Sequence, residues 1–312
     1  TTLANNTAAK TVRVIDEKIK VIYIEGRPRW EYRYLRRVLL RDHRLDVKFL
    51  MTEGDRDLAK HSREHISEFP VRADEAFHYD LVILGDVPST YFSMAQMKRL
   101  EELVRQRKGS LLMLAGFEHA PASYLGTPLA PLLPVRLSPE GRRDVDENVY
   151  PVVTDAGRRS ALMVLEVPEA RNERIWGLVE PMYSLPAVEG AKPGAVVLAS
   201  TSAAARMDEP YPLISWQRYG NGKTALIATD QLWRMRFKRG DQYHARFWGQ
   251  MIQFLTLSRL LGGNRRIHLE TDRNLYRQGE TVTVTANVVD EAYEPIKAAS
   301  YTLEIRPRDT AA

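Results

Sequence analysis

Cysteine is absent from all 312 residues. That gap excludes thiol nucleophiles, disulfide bridges and thiolate metal sites together, and leaves both reducing and oxidising compartments open. No apolar run approaches the roughly eighteen residues of a membrane span. The start lacks the basic-then-apolar layout of a secretory leader, and an initiator methionine is missing, so the expectation is a piece cut from something longer. Phosphate loops are lacking too. No Gly-x-Gly-x-x-Gly follows a strand, and "GNGK" (220–223) has neither the spacing of a Walker loop nor a helix after it. Charge of neither sign dominates: the formal net charge is +5, from 45 Lys and Arg against 40 Asp and Glu. This permits anionic partners without requiring them.

What is present is the composition of a globular protein, 44% hydrophobic and 27% charged, with enough apolar mass for a substantial core. The length fits two average domains, or one large domain with trimmings. Residues 1–16, "TTLANNTAAKTVRVID", read as a polar turn and an alternating strand (Val12, Val14), the last strand of a preceding β domain. Asn5-Asn6-Thr7 fits a glycosylation sequon, a triplet common by chance.

From Lys20 the pattern changes. "VIYIEG" (21–26), "DVKFL" (46–50), "YDLVILGD" (79–86) and "SLLMLAG" (110–116) are short, nearly continuous apolar runs, as buried parallel strands are. Helical stretches separate them. "PRWEYRYLRRVLLRD" places Pro28 near its first turn and predicts a buried stripe of Trp30, Tyr34, Leu35, Val38 and Leu39. "SMAQMKRLEELVRQRKG" spaces Ser93 and Gln96 as a capping box, buries Met97, Leu100, Leu103 and Val104, and ends at Gly109. The alternation predicts an α/β sheet covered on both faces. The middle, 117–194, reads as loops with one or two helices over the sheet edge. "GAVVLAS" (194–200) is a further strand, and "PLISWQRYGNGKTALIATD" (212–230) a hairpin whose Asn221-Gly222 predicts a type I′ turn. Residues 241–263 form a long, largely apolar helix. After Arg265 period-2 strands return at 281–289 and 301–305, a partial β domain or the edge of one completed by residues 1–16. The expected domains are therefore 1–16, 17–264 and 265–312.

Several motifs are set aside on physical grounds. "HSREH" (61–65) matches the inverted zinc-protease pattern, but its surroundings are almost entirely polar, whereas a zinc site needs a cleft and a third ligand. Basic residues crowd at Arg27, Arg29, Arg33, Arg36 and Arg37, and again at Arg234, Arg236, Lys238 and Arg239. Several fall on the polar side of an amphipathic helix, so a solvated face is expected rather than nucleic acid.

A candidate ligand cleft is defined by position. Ligands of open parallel sheets bind beyond the carboxyl ends of the strands. Glu25, Asp86, Gly116, His119 and Asp230 fall at those ends, with Arg27, Arg29, Trp233 and Arg234 in the same loops. A carboxylate–histidine set can do acid–base work. Equally, Glu25 and Asp86 can cap helices or pair with the arginines.

These segments, above all "KVIYIEGRPRWEYRYLRR", "YDLVILGDVP", "LEELVRQRKGSLLMLAG", "KPGAVVLAS" and "YGNGKTALIATDQLWR", resemble the class I glutamine amidotransferase-like superfamily, in its amidotransferase and ThuA-like branches. The resemblance covers about 20–264 and implies a flavodoxin-like three-layer sandwich with a mostly parallel sheet. It also implies a setting in large bacterial envelope proteins, tethered to the membrane through other parts, with immunoglobulin-like neighbours. The tail "ETDRNLYRQGETVTVTANVVD" is similar to the opening of such a module. The family's nucleophile is a Cys on the elbow after the central strand, with His and Glu near the last strand. Here the elbow is Ala115-Gly116-Phe117, and Asp230, Gln231 and Leu232 stand where the His belongs. The resemblance thus implies an amidotransferase-like domain without its catalysis, a binding or structural module taking an anionic or glycan ligand or an envelope partner, with no metal, cofactor or nucleic acid. The alternative is a hydrolase or lyase using the cleft carboxylates and His119, with or without a metal.

Overall fold

The computed structural model describes residues 18–54, 57–201, 211–261, 267–271 and 281–288. The chain divides into two compact units, Thr1–Leu261 and Gly262–Ala312. The expected strands at 1–16 and 301–305 lie outside the described residues.

The first unit is built on one eight-stranded sheet. In chain order it runs β1 (Ile19–Glu25), α1 (Trp30–Arg41), β2 (Leu45–Met51), the short α2 (Leu58–His61) and α3 (Ala73–Ala76), β3 (Leu81–Leu84), α4 (Met94–Arg105) and β4 (Ser110–Leu114). Then come β5 (Val135–Val149), β6 (Pro151–Val153), α5 (Asp155–Arg158), α6 (Glu169–Gly177), β7 (Met182–Ala191), β8 (Val196–Thr201), β9 (Pro212–Tyr219), β10 (Gly222–Ile227) and α7 (Gln242–Leu261). The sheet order is β2-β1-β3-β4-β10-β9-β8-β6. The first four pairings are parallel and the last three antiparallel. This is a mixed α/β fold on a mostly parallel sheet.

The apolar runs form the buried strands because both faces of the sheet are covered. All of β3 and β4 is buried. From β1 the chain crosses outward to β2, and from β3 it crosses in the opposite direction to β4. Right-handed crossovers in opposite directions put their helices on opposite faces. Accordingly α1 packs with α7, and α3 with α4. The Ser93–Gln96 capping box is formed in both directions, and Met97, Leu100, Leu103 and Val104 are the buried face of α4. In α7, His244, Phe247, Trp248, Met251 and Leu255 are wholly buried.

Three local expectations differ from the structure. The buried stripe of α1 is Glu31, Tyr32, Leu35, Val38 and Leu39, so the helix is rotated toward its acidic residue and Trp30 is left 50% exposed. The middle region holds more strand than its proline and charge content implies. β5 and β7 pair as a separate antiparallel ribbon, and β6 becomes the edge of the main sheet. The hairpin turns one residue early. Tyr219 pairs with Gly222, the loop is Gly220–Asn221, and only Gly220 has positive φ, the pattern of a type II′ turn rather than I′.

The second unit, as far as described, is one antiparallel pair, β11 (Ile267–Thr271) and β12 (Val284–Val288).

Gly222 supplies a prediction. A Cβ there would lie 2.2 Å from the Gly109 carbonyl oxygen and 2.5 Å from that of Val104. Both are backbone atoms and cannot step aside. Gly222→Ala is expected to lower stability by about 1–3 kcal/mol, the usual overpacking range, read as a lower urea midpoint at unchanged slope. An unchanged midpoint would show that α4 and the hairpin tip are not in close contact.

Candidate functional site at the strand ends

The parallel strands β1, β2, β3, β4 and β10 end on one side of the sheet, and the order reverses between β1 and β3. In open α/β sheets this switch point is where a crevice forms. Here Glu25, the last residue of β1, occupies it. The side chain is fully buried. Its Oε2 accepts from the Tyr23 hydroxyl (2.9 Å) and Arg29 Nε (3.0 Å), and its Oε1 from the amides of Asp86 (2.7 Å) and Gly26 (3.1 Å). Both carboxylate oxygens are thus doubly satisfied. That is the condition under which a buried charge is tolerated.

Arg29 carries the link onward. Its Nη1 donates to the Ala115 carbonyl (2.6 Å) and its Nη2 to that of Leu114 (3.5 Å), tying the end of β1 to the end of β4. Burial alone would depress the guanidinium, but Glu25, Tyr23 and Asp230 together outweigh it and hold Arg29 above its ordinary range. Tyr23 is pushed up by burial and by Glu25. Asp86 takes up the next segment: its Oδ1 accepts from the amides of His119 (2.7 Å) and Ala120 (2.8 Å), and its Oδ2 from that of Glu118 (2.8 Å). It organises a loop, and among the described residues it caps no helix and pairs with no arginine.

Two glycines show how tightly the crevice is filled. A Cβ on Gly85 would lie 2.3–2.5 Å from the Glu25 carboxylate, and one on Gly116 would lie 1.9 Å from Asp86 Cγ. The seat after β4, where this fold type can carry a nucleophile, therefore has no room for a side chain at Gly116. Ala115 is buried, and Phe117 is 67% exposed. None of residues 115–119 has positive φ, and the chain continues into a 3₁₀ turn at Ala122–Tyr124, not the strained strand-to-helix elbow of nucleophilic enzymes.

Around this closed centre lies a charged rim. Arg27 bridges Glu53 (2.7 Å) and Glu118 (2.9 Å), and His119 Nε2 stands 3.7 Å from each of the same two carboxylates. Asp230, beyond β10, adds its charge to the field on Arg29. Arg234 donates to the Pro181 carbonyl (2.8 Å) and to Gln231 Oε1 (3.3 Å). The Trp233 ring joins Trp30 and Tyr34 in an aromatic cluster. The sequence-predicted set is thus brought together at Glu25, Arg27, Arg29, Asp86, Gly116 and His119, while Trp233 and Arg234 belong to a neighbouring surface. The two histidines of "HSREH" are separated, since α2 ends at His61 and His65 lies in an extended segment beside Phe49.

Reading the sequence did not reveal Tyr23, Glu53, Glu118 or Glu31. The signal for Glu31 was its place in the first turn of α1, where an anion faces the positive end of the helix. It is 1% exposed and accepts from the Trp233 amide at 2.8 Å.

No family model matches the chain, and no curated protein matches it. Among solved structures it is similar to an exo-β-1,4-mannosidase from Opitutaceae bacterium strain TAV5 (13% identity, 77% of this chain and 36% of that one, TM-score 0.41). It is also similar to a β-galactosidase from Bacillus circulans sp. alkalophilus (12% identity, 80% and 33%, TM-score 0.40). A ThuA-like protein from Bacteroides uniformis is a further structural neighbour (9% identity, 82% and 97%, TM-score 0.43). The chain spans about a third of the length of the two glycosidases.

The geometry separates the two arginines by consequence. Arg29→Ala leaves the Glu25 charge buried and unpaired, and is expected to cost about 3–5 kcal/mol. Arg27→Ala, at the solvated rim, is expected to leave the urea midpoint unchanged. Equal effects of the two substitutions would contradict this division.

Proposed function

We propose that the α/β unit is a non-catalytic member of the amidotransferase-like fold group, of flavodoxin-like three-layer form, acting as a binding or structural module of a membrane-tethered envelope protein. The observation that carries this reading is the filled nucleophile seat: Gly116 lies against Asp86, with room for no side chain. Two further facts support it. The chain contains no cysteine, and thioester chemistry on glutamine needs a thiolate. At the strand ends Glu25 and Arg29 are bonded to each other and to the backbone around them. Fold by itself confers no activity. The envelope setting and the immunoglobulin-like neighbours rest on the resemblance of "ETDRNLYRQGETVTVTANVVD" to the start of such modules. Among the described residues, no helix is long and apolar enough to cross a membrane, so in this reading the tether belongs to other parts of the protein.

One arrangement favours a second reading. His119 Nε2 stands 3.7 Å from both Glu53 and Glu118, and a histidine between carboxylates is a usable acid–base pair for a hydrolase or lyase. The Arg27 guanidinium already bridges both carboxylates, and the group lies on the solvated rim.

Purified protein is expected to release no ammonia from glutamine above a heat-killed control. Steady release would overturn the reading. Turnover of a hydrolase or lyase substrate that disappears in His119→Ala would establish the second reading instead.

A further inference from the structure

Beside the closed crevice lies a surface of different chemistry. Trp30 and Tyr34 are one turn apart on α1, and Trp233 comes from the turn after β10. Their ring centroids are 5.8 Å (Trp30–Tyr34), 5.7 Å (Trp30–Trp233) and 6.0 Å (Tyr34–Trp233) apart, with planes inclined by only 18°, 31° and 23°. Three rings stacked in a column would place the outer two at about double the neighbour spacing. Nearly equal distances exclude a column, so the rings form a stepped, near-parallel group. Trp30 is 50% exposed. Tyr34 and Trp233 are half-buried beside it, and an aromatic patch that reaches the surface in this way is a candidate recognition surface.

The group is fixed in place. The buried carboxylate of Glu31, next to Trp30 in sequence, accepts the Trp233 amide and so joins the two segments that bear the rings. The Arg236 guanidinium lies 4.0 Å from the Tyr34 ring centroid, and Asp241 anchors Arg236 by an ion pair. Little ordering is left for a ligand to induce. Cations flank the rings. The Arg33 guanidinium lies 5.2 Å from the Trp30 centroid, and Arg37 follows one turn later on α1. Both are exposed, and among the described residues neither has an acidic partner. Arg41 and Arg236, by contrast, share Asp241.

We propose that this surface binds an acidic polysaccharide, a chain of uronate sugars. The C–H face of a pyranose carries slight positive charge and settles on the negative face of an aromatic ring. A guanidinium fork beside the rings donates two parallel hydrogen bonds to the sugar carboxylate, a two-point contact that a lysine could not reproduce. Nucleic acid also stacks on aromatics, but its affinity comes from many phosphate contacts along a basic track. Here Arg41 and Arg236 share Asp241, which leaves Arg33 and Arg37 as the arginines without an acidic partner among the described residues, too short a track for a nucleic acid. The site is separate from the strand-end centre, so it stands or falls independently of the non-catalytic reading.

The test is a tryptophan-fluorescence titration of the whole chain with polygalacturonate, with dextran as the neutral glycan and oligo-dT as the nucleic acid. Polygalacturonate is expected to give saturable quenching that weakens with salt, and dextran to bind far less. Trp30→Ala is expected to weaken binding by about tenfold or more, the worth of one stacked ring. Its urea midpoint should not move, because the ring is half exposed. The double variant Arg33→Ala/Arg37→Ala should remove the salt dependence and leave the folded midpoint intact. The proposal is overturned if polygalacturonate fails to saturate, if both variants bind as the parent does, or if oligo-dT binds more tightly.

Discussion

The fold depends on one buried carboxylate. Glu25 sits where the sheet order reverses, and its two oxygens collect donors from its own strand, from the segment after β3 and from the start of α1. An isolated carboxylate there would cost several kcal/mol in lost hydration. The donors offset that only if each stands in its place, so the charge fixes the ends of β1 and β3 and the start of α1 relative to one another. Arg29 extends the constraint to β4 and Asp86 extends it to residues 118–120. The glycines at 26, 85 and 116 follow from this, because the polar network occupies the space a Cβ would need.

A second consequence concerns chemistry. In open α/β sheets the crevice beyond the strand ends is the usual place for a ligand. In this chain the same location is already complete. Its arginine, its carboxylates and its backbone amides are spent on each other, and what remains for a ligand has moved outward. The outward surfaces differ in character. The rim of Arg27, Glu53, Glu118 and His119 is knit together by its own ion pairs, whereas Arg33 and Arg37 beside the ring group have no acidic partner among the described residues.

How much of this was legible in the sequence follows from how local each signal is. The parallel strands were visible as apolar runs, and α4 as a capping box followed by a regular stripe, because neighbours in sequence decide both. The phase of α1 was not. Trp30 and Tyr34 look like core residues by hydropathy, but Glu31 is drawn inward by the helix terminus and by an amide some two hundred positions away. The β5–β7 ribbon was hidden for a similar reason, since its strands are stabilised by pairing with each other across intervening elements and its sequence is rich in charge and turn residues. The hairpin slipped by one residue because Gly220 must lie against the Arg105 carbonyl, a contact that Asn-Gly turn statistics do not include. At the strand ends the residue types were evident from position. Whether they formed an open cleft or a closed network depended on Gly85 and Gly116, whose significance appears only when the facing side chains are known.

The central claim is that the strand-end network is closed and rigid. Native-state hydrogen exchange at the amides of Asp86, His119 and Ala120, which donate to Glu25 and Asp86, tests it most directly. If the network is closed, these amides exchange only when the unit unfolds, with opening free energies within about 1 kcal/mol of the global value. Exchange through local opening, at a free energy several kcal/mol lower while the amides of β3 and β4 stay protected, would show a crevice that opens on its own and would contradict the account.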